Sequence, residues 1–362
     1  MSKLQTAPEV EHILTALREV QDPELHKDLV SLGMVKDVEV DGGNVSFTIE
    51  LTTPACPLKD QIEQDARRAV EAVAGVDSVE ITMGANVPSD GRLREQFDEQ
   101  IRNTIAVASG KGGVGKTTVA VNLAVSLAKA GAIVGLLDAD IYGPNVPTMM
   151  GVTVMPTPKE KKMIPAEAYG VKVMSIGFLV PPGQPLIWRG PMLHSAIKQF
   201  IADVDWGELD YLVIDLPPGT GDVQLSLSQS IPLSGGVIIT LPQKVSLEDA
   251  RRGLEMFRAM DVPIFGVVEN MSYLELEDGT RVDVFGEGGG KLLAEQSGVP
   301  FIGAIPLDPI VRQGGDSGVP VVVSQPDSVV AKALVAVSED LAAKISVKAK
   351  QESSAIPIEL AD

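Results

Sequence analysis

The stretch of sequence that decides the fold is Gly110-Lys111-Gly112-Gly113-Val114-Gly115-Lys116-Thr117. It fits the pattern G-x-x-x-x-G-K-[S/T], follows the apolar run 105–108 and precedes a helical stripe of Val119, Leu123 and Leu127. A strand, a glycine-rich turn and a helix in this order let backbone N–H groups point at phosphate oxygens. The stretch therefore predicts a phosphate-binding loop.

The residue types in this loop match the needs of a nucleoside triphosphate. Glycines allow the tight turn, and the helix N-terminus adds partial positive charge. Lys116 is suited to neutralise the β- and γ-phosphates, and the Thr117 hydroxyl is suited to bind Mg²⁺. The residues predicted to bind the nucleotide here are Gly110, Lys111, Gly112, Gly113, Val114, Gly115, Lys116, Thr117 and Thr118.

A second pattern overlaps the first. The glycines at 110, 112 and 115 also fit the dinucleotide fingerprint G-x-G-x-x-G, and Asp138 follows the next strand, where a ribose-binding acid would lie. A dinucleotide site has no use for a lysine and a hydroxyl at positions 116 and 117. We therefore favour a triphosphate site over a dinucleotide site.

Acidic residues follow two of the predicted strands. Asp138 and Asp140 come after the apolar run 133–137, and Asp215 follows the run 212–214. Carboxylates at the carboxyl ends of parallel strands face a common ligand crevice, where one can bind Mg²⁺ through water and another can orient an attacking water. Each acid could instead only cap the following helix. Because three acids converge on one edge, the ligand role is favoured.

The pattern of apolar residues after the loop and just before it predicts an α/β fold. Continuous apolar runs are typical of strands buried on both faces of a parallel sheet, and helical patterns lie between them. We therefore predict a doubly wound, mostly parallel P-loop domain over residues 104–347. The apolar runs are 105–108, 133–137, 212–214, 237–239 and 264–268.

The chain before the loop has a different pattern. Residues 1–84 give helical spacing, then alternation, then a second helical stripe and a closing alternating segment, which predicts a small α+β domain. Residues 85–103 are polar and predict a linker that ends in a short helix. The polar residues 348–362 predict a flexible tail.

Composition narrows the class of protein. The formal charge of −19 disfavours nucleic-acid and anionic-membrane partners, since no dense basic run offsets it. The N-terminal residues 1–11 have no apolar core of a signal peptide, and no stretch is long and apolar enough to span a bilayer. The single cysteine, Cys56, excludes an internal disulfide and suits a reducing compartment. We expect a cytoplasmic protein.

The additional lysine at position 111 carries a closer resemblance. The segment 110–118 resembles the deviant phosphate loop of the MinD, ParA and nitrogenase iron-protein group. That resemblance implies an ATP-hydrolysing homodimer in which Lys111 reaches the partner's nucleotide. It also implies that Asp140 positions the hydrolytic water, that Asp138 and Asp215 serve Mg²⁺, and that Asn270 contacts adenine. The implied catalytic set is Lys111, Lys116 and Asp140.

A narrower resemblance covers most of the chain. Four segments are similar to the Mrp (ApbC) family of iron–sulphur carrier ATPases, namely 138–147, 215–222, 283–290 and 305–309. In the first domain, Asp22-Pro23-Glu24 and Thr52-Thr53-Pro54-Ala55-Cys56-Pro57 resemble the small assembly-factor domain often fused ahead of Mrp. The family resemblance implies ATP-dependent transfer of iron–sulphur clusters to apoprotein clients.

The chain departs from that family at one place. Mrp proteins usually carry Cys-x-x-Cys just after the segment that corresponds to 270–273, whereas Leu274-Glu275-Leu276-Glu277-Asp278-Gly279 stands here and predicts a β-hairpin. A dimer then offers only two cysteines, one Cys56 from each subunit. Glu275, Glu277 and Asp278 are hard donors and poor substitutes for thiolates.

Cys56 itself has two interpretations. At the start of the helical stripe 58–73 it would have a depressed pKa and could be a cluster ligand. Alternatively, it is a small buried apolar residue. Two other functions stay open beside the carrier: an ATP-gated scaffold that holds no cluster, and a positioning or partition ATPase. The acidic balance and the tail disfavour the last, which needs a basic surface or a membrane helix.

Overall fold

The computed structural model describes residues 8–90, 101–141, 143–152, 158, 162–179, 190–276 and 278–354. The first unit is the predicted small α+β domain. Strand β4 pairs antiparallel with β3 and parallel with β5, and α1 and α2 cover the sheet. Its elements are α1 (Val10–Leu17), β1 (Gln21–Asp22), β2 (Lys27–Asp28), β3 (Val35–Asp41), β4 (Asn44–Leu51), α2 (Lys59–Glu71) and β5 (Ser78–Ala85).

The second unit alternates strands and helices, as the apolar runs predict. Its strands are β6 (Ile101–Ser109), β7 (Val134–Asp138), β8 (Ala166–Ala168), β9 (Val171–Ser175), β10 (Leu209–Asp215), β11 (Gly235–Thr240), β12 (Ile264–Glu269), β13 (Leu274–Glu275), β14 (Arg281–Val282) and β15 (Phe301–Ala304). Its helices are α3 (Lys116–Lys129), α4 (Val146–Met149), α5 (Gly190–Ala202), α6 (Asp222–Ser230), α7 (Lys244–Ala259), α8 (Gly289–Ser297), α9 (Pro309–Ser317), α10 (Val321–Ser324) and α11 (Val329–Ser354).

Eight of these strands form one sheet in the order β15-β12-β11-β6-β10-β7-β9-β8. All its pairings are parallel except that of β8 with β9. Successive residues of β6 enter different cores: Ile105 and Val107 pack in one layer, and Ala106 and Ala108 pack in the other. Because these strands are buried on both faces, their sequences are continuous apolar runs. The doubly wound, mostly parallel fold is confirmed.

Two predicted boundaries differ from the structure. Strand β6 begins at Ile101, inside the predicted linker 85–103, because Ile101 pairs with Leu209 and the buried Asn103 side chain donates to the carbonyl of Pro88. Helix α11 continues to Ser354, inside the predicted tail 348–362. Most of the helix expected at the linker's end falls on residues 91–100, outside the described part of the chain.

The continuation of α11 has a packing reason. Ser346 donates to the carbonyl of Thr52 at 3.0 Å, and Ala349 is buried. The last turns of the helix therefore have a partner that composition does not reveal, namely the first domain. Within the described residues, no helix is both long and apolar enough to cross a membrane.

The segment that carries Cys56 lies between the two units. Ala55 belongs to the apolar core of the sheet domain, and so does Val87 from the end of the first domain. The side chain of Thr53 is also buried. The two domains are thus joined through a packed contact and not only through the linker.

Candidate nucleotide-binding site

The phosphate loop joins β6 to α3 at the carboxyl edge of the sheet, as predicted. Gly115 has a φ of +82° and is approached so closely by the Asn270 amide that a Cβ there would collide with it. A glycine is therefore required at this position on two grounds. Gly112 and Gly113 are exposed, which leaves their backbone N–H groups open to a ligand.

Lys116 lies at the centre of a buried charge cluster. Its Nζ donates to Asp215 Oδ1 at 2.6 Å and lies 3.6 Å from Asp140 Oδ2. Thr117 Oγ1 donates to the other oxygen of Asp215 at 2.7 Å. Strand pairing sets Asp215 of β10 directly beside Asp138 of β7. The structure thus brings together residues that the sequence predicts from three separate segments.

Asp138 is held by a set of donors from neighbouring elements. Its carboxylate accepts from Asp140 N at 3.1 Å, from Val146 N at 3.2 Å and from Ser175 Oγ at 2.9 Å. Burial and, next, the Asp215 carboxylate raise the pKa of Asp138 to about 8. Burial also raises the pKa of Asp215 despite its bond to Lys116. A cation bound here would relieve both effects.

Ser175 is a site residue that the sequence analysis missed. It ends β9, the strand that pairs with β7, so it lies next to Asp138 in register. A serine 37 residues away carries no motif of its own. Only the strand order, which places β9 beside β7, reveals the contact.

Lys111 lies at the mouth of the site and is partly exposed. Its carbonyl accepts from Ser109 Oγ at 2.9 Å, which fixes the backbone of the loop. Among the described residues, no hydrogen bond or ion pair holds its ammonium group. The charge of Lys111 is therefore available to a ligand or to another subunit.

The loop opens into a cavity of about 500 Å³. Asn270 lies on its wall, is buried, and donates its Nδ2 to the carbonyl of Val114 at 2.8 Å. Asn270 thus supports the phosphate loop in addition to facing the cavity. Residues beyond the predicted set also line this cavity, among them Asn145, Pro218, Pro306, Leu307, Asp308 and Arg312. The segment 305–309 resembled a known family, but the sequence assigned it no role.

Cys56 lies apart from this site. The thiol is half-buried, and burial raises its pKa to about 11, with the carboxylates of Glu24 and Asp22 adding to the effect. The expectation of a depressed pKa at a helix start is therefore wrong. The N–H of Leu58 lowers the pKa, but it does not offset the loss of water.

The hairpin predicted at 274–284 is present. Leu274 pairs with Val282 and Glu275 pairs with Arg281 across β13 and β14. No group of three or more His, Cys, Asp or Glu residues in the described ranges is arranged to hold a metal ion. The structure thus supplies a nucleotide site, and it gathers no thiolate or mixed-ligand metal centre in those ranges.

The phosphate loop, the buried carboxylates and the parallel sheet define a P-loop NTPase of the MinD and ParA class. Two solved structures are similar. A nucleotide-binding protein from Archaeoglobus fulgidus in complex with ADP is 38% identical with a TM-score of 0.56, over 64% of this chain and 91% of that one. The cell division ATPase MinD of Pyrococcus furiosus is 25% identical with a TM-score of 0.52, over 66% and 97%.

The chain belongs to the NUBPL iron-transfer P-loop NTPase family, whose model matches residues 100–342. A second family model, that of the iron–sulphur cluster assembly protein, matches residues 10–83. The iron–sulphur cluster carrier protein of Synechocystis is 54% identical over 346 residues, which is 93% of this chain and 98% of the relative. The resemblance drawn from the sequence motifs is thereby confirmed.

Proposed function

We propose that this protein hydrolyses ATP in the cytoplasm and uses the cycle to deliver iron–sulphur clusters to apoprotein clients. Three features support the proposal: the matched family, the 54% identical carrier protein of Synechocystis, and the charge cluster around Lys116. The single observation that carries the ATPase half is the bond between Lys116 and Asp215. The lysine and the carboxylate lie side by side at the phosphate loop, and this supports the proposal.

The residues at the sheet edge fit Mg²⁺, which prefers oxygen ligands. Thr117 and Asp215 would hold the ion, with Asp138 beside them. A bound Mg²⁺ supplies charge neutralisation for the phosphates. Lys116 would then leave Asp215 for the β- and γ-phosphates, and Asp140, 3.6 Å from Lys116 Nζ, would orient the attacking water.

We also propose that hydrolysis takes place in a homodimer. Lys111 has no partner for its ammonium among the described residues, although it lines the cavity. An ammonium that its own subunit leaves unbound is suited to reach the nucleotide of a second copy. Asn270 would contact adenine while it holds Val114.

A second candidate function is that of a scaffold that carries no iron–sulphur cluster. Cys56 is the chain's single cysteine, is half-buried, and is a protonated thiol at neutral pH. The residues in hand therefore do not fit a resident all-cysteine cluster, which needs four thiolates. This observation favours an ATP-gated scaffold for assembly partners over a carrier that keeps a cluster on itself.

Lysine variants test the ATPase half. Lys116→Ala should abolish ATP binding, and Lys111→Ala should keep binding but lose hydrolysis, while the exposed Lys59→Ala serves as a matched control. Binding is measured by calorimetry and turnover by phosphate release. Wild-type turnover in Lys111→Ala would refute the role in trans.

Anaerobic reconstitution tests whether the protein binds an iron–sulphur cluster. Wild type and Cys56→Ala are incubated with iron and sulphide, and optical and Mössbauer spectra are recorded. A cluster that is present in wild type and lost in the variant supports carriage through Cys56. No cluster in either protein supports the scaffold.

A further inference from the structure

The hairpin of β13 and β14 turns its apolar face to solvent. Leu276 and Val282 keep 45% and 41% of their surface exposed, and Val284, just past the strand, keeps 46%. The opposite face carries an ion pair that is itself open to water: Arg281, whose side chain is 60% exposed, pairs with Glu275 at 3.2 Å and stacks on Tyr273, 4.1 Å from the ring centroid. Apolar side chains of the hairpin are thus exposed alongside its ion pair, and exposing apolar surface in this way costs free energy. We call the three exposed side chains Leu276, Val282 and Val284 the hairpin surface.

Acidic residues surround the hairpin surface. In sequence, the segment 274–288 carries five carboxylates and one arginine, and that arginine is already paired with Glu275. Asp278, Asp283 and Glu287 are exposed. Apolar residues with a negative rim are complementary to apolar residues with a positive rim. Two copies of this segment facing each other would repel.

The hairpin surface is built directly on the wall of the nucleotide cavity. Tyr273 accepts at its carbonyl from Leu307 N at 2.7 Å, and Leu307 lines the cavity. At the other end, the buried Glu269 carboxylate accepts from Gly288 N at 3.2 Å and from Gly290 N at 2.5 Å. Its neighbour Asn270 holds the phosphate loop. Both ends of the hairpin are therefore anchored to elements that line the nucleotide cavity.

From these contacts we infer that the hairpin surface is a docking site for a basic, apolar segment of another protein, bound in extended form beside the nucleotide cavity. An extended segment can turn its apolar residues to this face, and its long lysine or arginine side chains can fold back to the acidic rim. The inference depends on the proposed function only in that the partner would be an assembly protein or a client. Binding itself needs neither hydrolysis nor a cluster.

Three short amidated peptides test the chemistry of the surface by fluorescence anisotropy on the full chain. One alternates valine and lysine, one serine and lysine, and one valine and glutamate. The valine–lysine peptide should bind at least about tenfold more tightly than either of the others, because only it satisfies both the apolar and the charge requirement. Equal affinity for the serine–lysine peptide would reduce the site to nonspecific attraction and overturn the inference.

Paired variants locate the binding. Leu276→Thr with Val284→Thr keeps strand propensity, and Asp283→Lys with Glu287→Lys reverses the rim; each pair should weaken the valine–lysine peptide about tenfold or more. The matched controls lie elsewhere: Val10→Thr with Val329→Thr, and Glu11→Lys with Glu19→Lys. Weakening by the controls as large as that by the hairpin pairs would contradict the assignment.

Two further measurements separate the alternatives. Sedimentation equilibrium of the Leu276→Thr, Val284→Thr pair should match wild type; dissociation of a dimer would show that a second copy covers the surface, and would overturn the inference. ATP hydrolysis by the same pair reports on the proposed function separately. Lost peptide binding with intact hydrolysis supports docking at the hairpin surface.

Discussion

The hydroxyl of Tyr211 donates to Thr53 Oγ1 at 3.0 Å, across the boundary between the two domains. Tyr211 is fully buried near the start of β10, and Asp215 ends the same strand in the nucleotide site. At about 3.3 Å per residue, roughly 13 Å of strand separates the two side chains. The loop that carries Cys56 is therefore connected to the nucleotide site through strand β10.

Removing this contact should weaken the domain boundary. Tyr211→Phe and Thr53→Val should each cost about 1 kcal/mol of unfolding free energy, because a buried polar group loses its partner. The double variant should cost less than the sum, by about 0.5–1.5 kcal/mol. Urea denaturation measures all four proteins. Tyr169→Phe is the matched control, since its hydroxyl donates to Gly318 within the second domain. Full additivity of Tyr211→Phe with Thr53→Val would show that the contact is not formed.

The local sequence pattern was sufficient to predict the architecture of the second domain. Residues such as Ile105 to Ala108 show a continuous apolar run because both faces of β6 are covered, and the phosphate loop has a motif with a fixed context. The extent of α11 could not be predicted in the same way. Ala349 is buried and Ser346, one turn earlier, bonds to Thr52 of the first domain, and polar neighbours in sequence conceal that environment.

Cys56 should react slowly with alkylating reagents. The thiolate is the nucleophile, and a pKa raised from 9.0 to about 11 lowers its fraction at pH 8 about 100-fold. The rate of reaction with iodoacetamide should rise with pH up to about 11 and stay well below that of the same chain unfolded in urea. The matched comparison is the folded and unfolded chain at one pH. Equal rates would mean that folding does not bury the thiol.

The nucleotide site shows which residues a motif cannot supply. Lys116, Thr117 and Asp215 were predicted because each follows a strand or opens a helix. Ser175 was missed because its contact with Asp138 comes from strand order, and Asp308 was missed because α9 returns to the cavity from far along the chain. Tertiary neighbours without a motif need the fold before they can be assigned.

A charge placed at Ala349 tests the helical end of α11. Ala349→Glu should destabilise the protein by about 2–4 kcal/mol, because an unpaired carboxylate would be buried. Gln351→Glu, at an exposed position on the same helix, should change stability by less than about 0.5 kcal/mol. Thermal and urea unfolding measure both. Equal stability of the two variants would return residues 348–354 to the status of a flexible tail.

Asn270 offers the sharpest test of how the cavity wall supports the phosphate loop. Its Nδ2 donates to the carbonyl of Val114 at 2.8 Å, so Asn270→Ala should weaken ADP binding by about tenfold, the equivalent of one hydrogen bond. Asn270→Asp should weaken it further, because a carboxylate facing a carbonyl repels it. Asn122→Ala, on α3, removes a buried amide that donates to Thr118 and is the control for stability alone. Calorimetry with ADP gives the affinities and thermal unfolding gives the stabilities. If Asn270→Asp bound ADP as tightly as wild type, the bond to Val114 would have no part in shaping the loop.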